Sequence, residues 1–267
     1  MRISLATEPG TPGLANEDAA AATDTVAVVL DGVTTLPGYG SGCRHGTVWF
    51  VRQLADRILV RAGVPEAGLD EALHAALTDV VELHGGGCDL SLPDPPSATL
   101  AILRETEEAL EYLVLADCTV VVDIAGTVQE ITDDRLLRLH LPERKAVLAD
   151  PTPEAYAALM EAKRARRNRR GGYWVAASEP EAARHALTGR YDRHRVRRAA
   201  LMTDGVSCAV DRYGLTDWPG LLDDLDRAGP EAAIQRIRRA EAEDPDGIRW
   251  ARGKTHDDAA IAYCRPG

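Results

Sequence analysis

The chain reads as an α+β layered domain, and three features of its order predict that class. Apolar runs rich in β-branched residues recur along the 267 residues. Two helical patterns follow the second of these runs, and a group of closely spaced apolar runs comes before helices return. Strict βαβ alternation is absent, so the pattern favours helices and antiparallel strands in separate layers.

Residues 1–10 (MRISLATEPG) alternate weakly and read as an opening strand that runs into a Gly/Pro loop. Residues 25–30 (TVAVVL) are apolar on both faces, the signature of a buried central strand. From Gly46 to Ala62 the spacing turns helical, with Trp49, Leu54 and Ile58 among its apolar positions. A second helix lies within 67–87, where Leu69, Leu73, Leu77 and Val80 share a face before Gly85-Gly86-Gly87 ends it. Segments 97–105, 109–117 and 119–132 are separated by short Gly or charged links and read as an antiparallel meander. Residues 153–170 form a helical pattern that becomes strongly basic, 199–206 one more strand, 218–244 one or two helices, and 257–265 a last strand. With no repeat and no long low-complexity linker, a single domain over 1–267 is expected.

The formal charge of −11 disfavours nucleic acid as a partner, because phosphate binding needs a basic face. Aromatic residues make up 4% of the chain, so the core must be built mainly from Ala, Val and Leu. The five cysteines contain no CxxC pair and leave one over, which reads as a reduced protein rather than a disulfide framework or a zinc ribbon. The opening residues lack a signal-peptide pattern, and no apolar run approaches a membrane span. The expectation is a cytoplasmic protein without a membrane partner.

The run 25–30 stops at Asp31-Gly32, and a turn would account for one such stop. The stop recurs, however. Asp117 ends the run 112–116 (YLVLA), Asp204 ends 199–203 (AALMT), and Asp257 stands just before AAIAYC, at the start of its strand. In antiparallel neighbours one strand's end lies beside the next strand's start, so all four carboxylates can meet at one sheet edge. Gathered there they would repel one another and lose hydration unless cations neutralised them. An oxygen-only set suits Mg²⁺ or Mn²⁺ better than Zn²⁺.

Taken with NEDA (16–19), SATLAIL (97–103), TDG (203–205) and DDAAIA (257–262), this order resembles the metal-dependent protein phosphatases, the type 2C (PPM) family, in their bacterial form. The resemblance spans nearly the whole chain. It implies a four-layer αββα sandwich, with two antiparallel β-sheets flanked by helix pairs. It implies that Asp31 bridges two Mn²⁺ or Mg²⁺ ions, with the Gly32 carbonyl on one of them. Asp204 and Asp257 would complete the first ion's shell, Asp18 would hold its water with Glu17 nearby, and Asp117 would help to bind a third ion. The activity implied is phosphomonoester hydrolysis by an activated water, without a phosphoenzyme, on phosphoserine or phosphothreonine.

Three departures concern substrate handling rather than metal ligation. Gly13 stands where the family usually has a phosphate-gripping Arg, Thr34 and Thr35 replace two glycines, and Ala116-Asp117-Cys118 replaces Gly-Asp-Ser. Arg44 and His45 in GSGCRHGT (40–47) are candidate substitutes, Arg44 as a phosphate clamp and His45 as a proton donor to the leaving group. The bland alternative is an exposed Arg and a capping His. The same glycine-rich loop lacks the spacing and the lysine of a nucleotide-binding motif. The run 163–170 (KRARRNRR) is either a solvated helix end or a docking surface for an acidic or phosphorylated partner. His74 and His84 read as surface positions of the second helix. Two further functions stay open: a regulatory module with this fold but without activity, and a phosphatase of a small phosphorylated metabolite.

Overall fold

A computed structural model describes residues 1–34, 40–92, 94–150, 152–252 and 254–267. It contains two five-stranded antiparallel sheets. One has the order β1 (Arg2–Glu8), β10 (Ala259–Arg265), β9 (Val196–Met202), β6 (Thr119–Ile124) and β7 (Thr127–Thr132). The other runs β2 (Ala19–Ala22), β3 (Val26–Gly32), β4 (Ala98–Glu105), β5 (Ala109–Leu115) and β8 (Leu187–Asp192). Helices α1 (Gly46–Ala62) and α2 (Leu69–Leu83) cover the second sheet, while α6 (Asp204–Asp211), α7 (Trp218–Ala228) and α8 (Pro230–Ala242) cover the first. Three short helices, α3 (Arg135–Arg138), α4 (Pro142–Ala149) and α5 (Pro153–Arg164), lie between β7 and β8 in sequence.

The apolar run in β3 follows from this layering. Val26, Val28 and Leu30 face Phe50, Leu54, Ile58, Leu73 and Leu77 of the helix pair. Ala27 and Val29 face the opposite sheet, where they meet a layer that includes Val120, Val122, Ala199, Leu201 and Ala262. With side chains alternating across the strand, both faces need apolar residues. The middle layer is rich in Ala and Val because two sheets packed face to face leave only about 10 Å between them. Few aromatics fit there.

Several expected elements are corrected. The meander is split: β4 and β5 pair in one sheet, β6 and β7 in the other, and the chain crosses between them at Ala116-Asp117-Cys118. Ala116 takes φ 65°, a left-handed conformation that costs a non-glycine residue roughly 1–2 kcal/mol. The strand expected over 199–206 ends at Met202, and Asp204 opens α6. The helix expected over 153–170 ends at Arg164; Arg164 and Arg167 turn inward to Asp94, at 3.4 and 2.9 Å. The basic run is therefore only partly a solvated face: Arg166, Arg169 and Arg170 are exposed. Strands β2 and β8 carry no alternation strong enough to be read from sequence, since β2 is four alanines.

Candidate metal centre

The aspartates converge where the two sheets meet at one end of the sandwich. Asp31 lies near the end of β3 in one sheet, whereas Asp204 follows β9 and Asp257 precedes β10 in the other. The site thus bridges two sheets and does not sit on the edge of one, as expected from the strand ends alone. Asp117 arrives on the crossover between the sheets, and Asp18 on the residues leading into β2.

Two glycines permit the close approach of these segments. The Gly32 N–H donates to the Glu17 carbonyl at 3.1 Å, and a Cβ on Gly32 would stand 2.6 Å from that oxygen. A Cβ on Gly205 would overlap the Asp258 carbonyl. Any side chain at either position would push Asp18 or Asp257 away from its neighbours. This is the physical reason for glycine after Asp31 and after Asp204.

The electrostatics are those of an acidic cluster whose charge neighbouring cations offset only in part. Asp18 is pushed up to about 8 by burial, with Asp258, Asp204 and Asp257 adding repulsion against a hydrogen bond with Thr203. Burial, then Asp18, Asp204, Asp117 and Asp257, raise Asp31 well above the carboxylate range. Asp204 is pushed up to about 6 by its enclosure, then by Asp257 and Asp117. Its side chain is still 38% open to solvent, so the enclosure is a cleft and not a sealed interior. Enclosure also raises Asp117, which is exposed at the same opening; Lys163 and Thr99 act against the rise.

These residues fit hard divalent cations. The Asp18 carboxylate is buried, and its Oδ2 has no hydrogen-bond partner, an orphan that a cation or its water would satisfy. The donors are all oxygens, the set preferred by Mg²⁺ and Mn²⁺. The positive charge of such ions would lower the raised carboxyls towards the ionised range.

Three residues at this site were not singled out from sequence. Asp258 accepts from the Gly10 and Glu17 N–H groups at 2.7 and 2.6 Å, and so holds the segment that carries Asp18. In a sequence it cannot be told from Asp257 beside it. Lys254 Nζ lies 2.8 Å from Asp257 Oδ1. Lys163, at the start of the basic run, is close enough to Asp117 and Asp204 to be stabilised by both, although burial and Arg144 lower it. Together with Arg212, these lysines line a cavity of about 360 Å³ beside Asp204 and Asp257.

The remaining sequence candidates lie elsewhere or modify the site's edge. Gly13 takes φ 87°, and a Cβ there would meet nothing within 4 Å. Thr34 Oγ1 donates to Glu17 Oε2 at 2.6 Å, and Thr35 lies outside the described residues. Arg44 packs over Gly87 beyond the end of α2, where a Cβ would stand 3.1 Å from its guanidinium. His45 stacks on Trp49 and faces Cys43, His84 and Cys88. The contacts of Arg44 and His45 thus run to the end of α2 and not to the carboxylates. His84 is buried, contrary to the surface position expected for it.

The profile of the family described as Protein phosphatase 2C matches residues 11–239, which spans every aspartate of the site except Asp257 and Asp258. The chain belongs to the protein phosphatase 2C family. Solved phosphatases share its fold. The Mycobacterium tuberculosis serine/threonine phosphatase PstP is 16% identical over 98% of this chain and 97% of its own, with a TM-score of 0.58. The Mycobacterium smegmatis PPM Ser-Thr phosphatase MsPP, solved with cacodylate, is 19% identical over 100% and 99%, with a TM-score of 0.55. Stp1 of Staphylococcus aureus is 14% identical over 98% and 94%, with a TM-score of 0.58. The catalytic domain of PstP has also been solved with two manganese ions. No match is found among curated proteins. Among the described residues, no helix is long and apolar enough to cross a membrane. The expected sandwich of two antiparallel sheets between helices is the protein phosphatase 2C fold seen in these relatives.

Proposed function

We propose that the protein is a phosphomonoester hydrolase dependent on Mn²⁺ or Mg²⁺, acting on phosphoserine or phosphothreonine in proteins. The observation that carries this reading is the convergence of Asp18, Asp31, Asp117, Asp204 and Asp257 in one cleft, with Asp18 Oδ2 buried and unpartnered. In this reading Asp31 and the Gly32 carbonyl would hold the two principal ions, and Asp204 and Asp257 would help to hold one of them. Asp18 would act through a water, and Asp117 would help to hold a third ion. When bound, the ions would supply a water activated near neutral pH and charge compensation at the phosphate.

The rest of the chemistry falls to the chain itself. Asp258 fixes the approach of Asp18 through two backbone N–H groups. Lys163, Arg212 and Lys254 supply positive charge beside Asp204 and Asp257. This supports their orienting the substrate phosphate in place of the arginine missing at Gly13. The cleft is open at Asp117 and Asp204, which suits a phosphorylated side chain presented on a larger molecule.

Gly13 is the one observation that favours a second reading, a phosphatase-like module that binds phosphorylated or acidic partners without turnover. Hydrolysis of an aryl phosphate with and without Mn²⁺ separates the two. The expected result is Mn²⁺-dependent turnover that falls at least about 100-fold in Asp31→Asn and in Asp204→Asn. Mn²⁺ binding without turnover in the parent protein would favour the module.

A further inference from the structure

A second cluster of ligating side chains lies away from the carboxylates, where the segment leading into α1 meets the end of α2. Cys43, His45, His84 and Cys88 each offer one donor atom, and these four atoms lie within 4.8 Å of one another. His45 Nδ1 is 3.7 Å from Cys43 Sγ and 3.5 Å from Cys88 Sγ. In a tetrahedral zinc site, Zn–S near 2.3 Å and Zn–N near 2.05 Å set the sulfur-to-nitrogen edge at about 3.5 Å. The thiols and His45 already stand at that spacing. Closing the widest gap requires a contraction of about 1 Å.

His84 supplies an independent observation. The residue is 4% exposed, and its Nδ1 is 2.8 Å from the Val80 carbonyl, one helical turn back. That bond fixes the proton on Nδ1 and leaves Nε2 as a bare acceptor. Nε2 is buried with no hydrogen-bond partner. A buried imidazole nitrogen with a free lone pair, on a ring grouped with two thiols, is an unmet interaction that a metal ion would complete. The backbone carbonyl behind it is the usual outer support of a metal-bound histidine.

We propose that Cys43, His45, His84 and Cys88 bind one structural zinc ion. Two thiolates and two neutral imidazoles give a closed tetrahedral shell with no net charge, and the soft sulfurs select zinc over the Mn²⁺ or Mg²⁺ suited to the aspartates. Binding releases the two thiol protons, and His45 coordinates through Nδ1 with its proton on Nε2. Arg44 Nε, now 3.4 Å from that Nε2 on the exposed side, turns to solvent. The ligand pattern is Cys-x-His followed by His-x₃-Cys, with the glycines 85–87 turning the chain back between the last two.

The ion would anchor a joint that is otherwise lightly held. Helix α1 begins without a side-chain cap and without an acidic residue in its first turn. The segment before it is tied to the segment after α2 by the Asp89 N–H donating to the Gly42 carbonyl at 2.8 Å. A zinc ion joins the same two segments covalently, twelve residues beyond Asp31 and on both sides of Arg44.

Zinc content of the full chain, purified with reductant and dialysed, tests the site. About one zinc per chain is expected. It should be retained in Asp31→Asn, which rules out loading of the carboxylate cluster, and should fall at least about tenfold in Cys88→Ser and in His84→Ala. Cobalt loading of the parent protein should give the visible bands of tetrahedral Co²⁺ and a thiolate-to-cobalt charge-transfer band. Differential alkylation needs no substitution: Cys43 and Cys88 should be protected by zinc and released by a chelator, while buried Cys118, Cys208 and Cys264 do not respond. Zinc loss in Asp31→Asn, equal alkylation with and without zinc, or zinc-free protein whose Cys43 and Cys88 stay joined as a disulfide despite purification with reductant would overturn the proposal. The result does not depend on phosphatase activity in either direction.

Discussion

At the scale of single residues, the site is a balance between repulsion and two kinds of compensation. Asp18, Asp31, Asp117 and Asp204 all titrate above their ordinary range because they are enclosed together. Cations of the chain offset part of that from the side: Lys254 on Asp257, Lys163 towards Asp117 and Asp204, and Arg212 at 3.9 Å from Asp204. If Lys163 orients the incoming phosphate, Lys163→Ala should raise KM for an aryl phosphate about tenfold, the loss of one charge-assisted bond of about 1.4 kcal/mol. The ion affinity should not fall, because the substitution removes a positive charge beside the carboxylates. Steady-state kinetics at saturating Mn²⁺ provide the check, and an unaltered KM would remove Lys163 from substrate handling.

At the scale of elements, the connection from α8 to β10 shows how a loop is made rigid enough to present Asp257. Asp244, just past α8, accepts from the N–H groups of Ile248, Arg249 and Trp250 at 2.9, 3.1 and 3.0 Å and from Arg252 at 2.9 Å. Burial alone would raise this carboxyl; the N–H groups and Arg252 outweigh it and hold it at about 2, below its ordinary 3.8. A carboxyl depressed in the folded state stabilises the fold above its unfolded value and loses that contribution as pH falls through the folded one. Asp244→Asn should therefore lower Tm at neutral pH, and the gap should close between pH 3.8 and about 2. Thermal unfolding at several pH values tests this, and a gap independent of pH would contradict it.

The same scale shows what the sequence could carry. Helices α1 and α2 were legible because each buries a single stripe, and β3 because both of its faces are buried. Strand β2 was not, because four alanines carry no periodicity and are held by pairing to β3. The split of the meander was hidden as well, since a crossover through Ala116 at positive φ looks like any short link until the partners are known. The aspartates were visible through recurrence of one pattern. Asp258 owes its role to contacts across more than two hundred residues and Lys163 to contacts across more than forty, while His84 meets Cys43 and His45 about forty residues earlier, and no local pattern marks those.

At the scale of the whole molecule, two sheets and a crossover bring like charges to one end of the sandwich, so the ion-free fold carries a cost that function requires. The aspartates come from both sheets and from the segments around them, so an ion held there links the layers. Binding should then stabilise the entire fold, by about 3 kcal/mol at Mn²⁺ a hundredfold above Kd for each site. Removing one carboxylate should relieve repulsion and weaken that response together.

Thermal unfolding of the parent protein and Asp31→Asn, each with and without Mn²⁺, tests this most directly. The account predicts that Asp31→Asn melts higher than the parent without Mn²⁺ and gains little when Mn²⁺ is added, whereas the parent gains several degrees. A variant that melts lower without Mn²⁺ and gains as much from it as the parent would contradict the shared ion site.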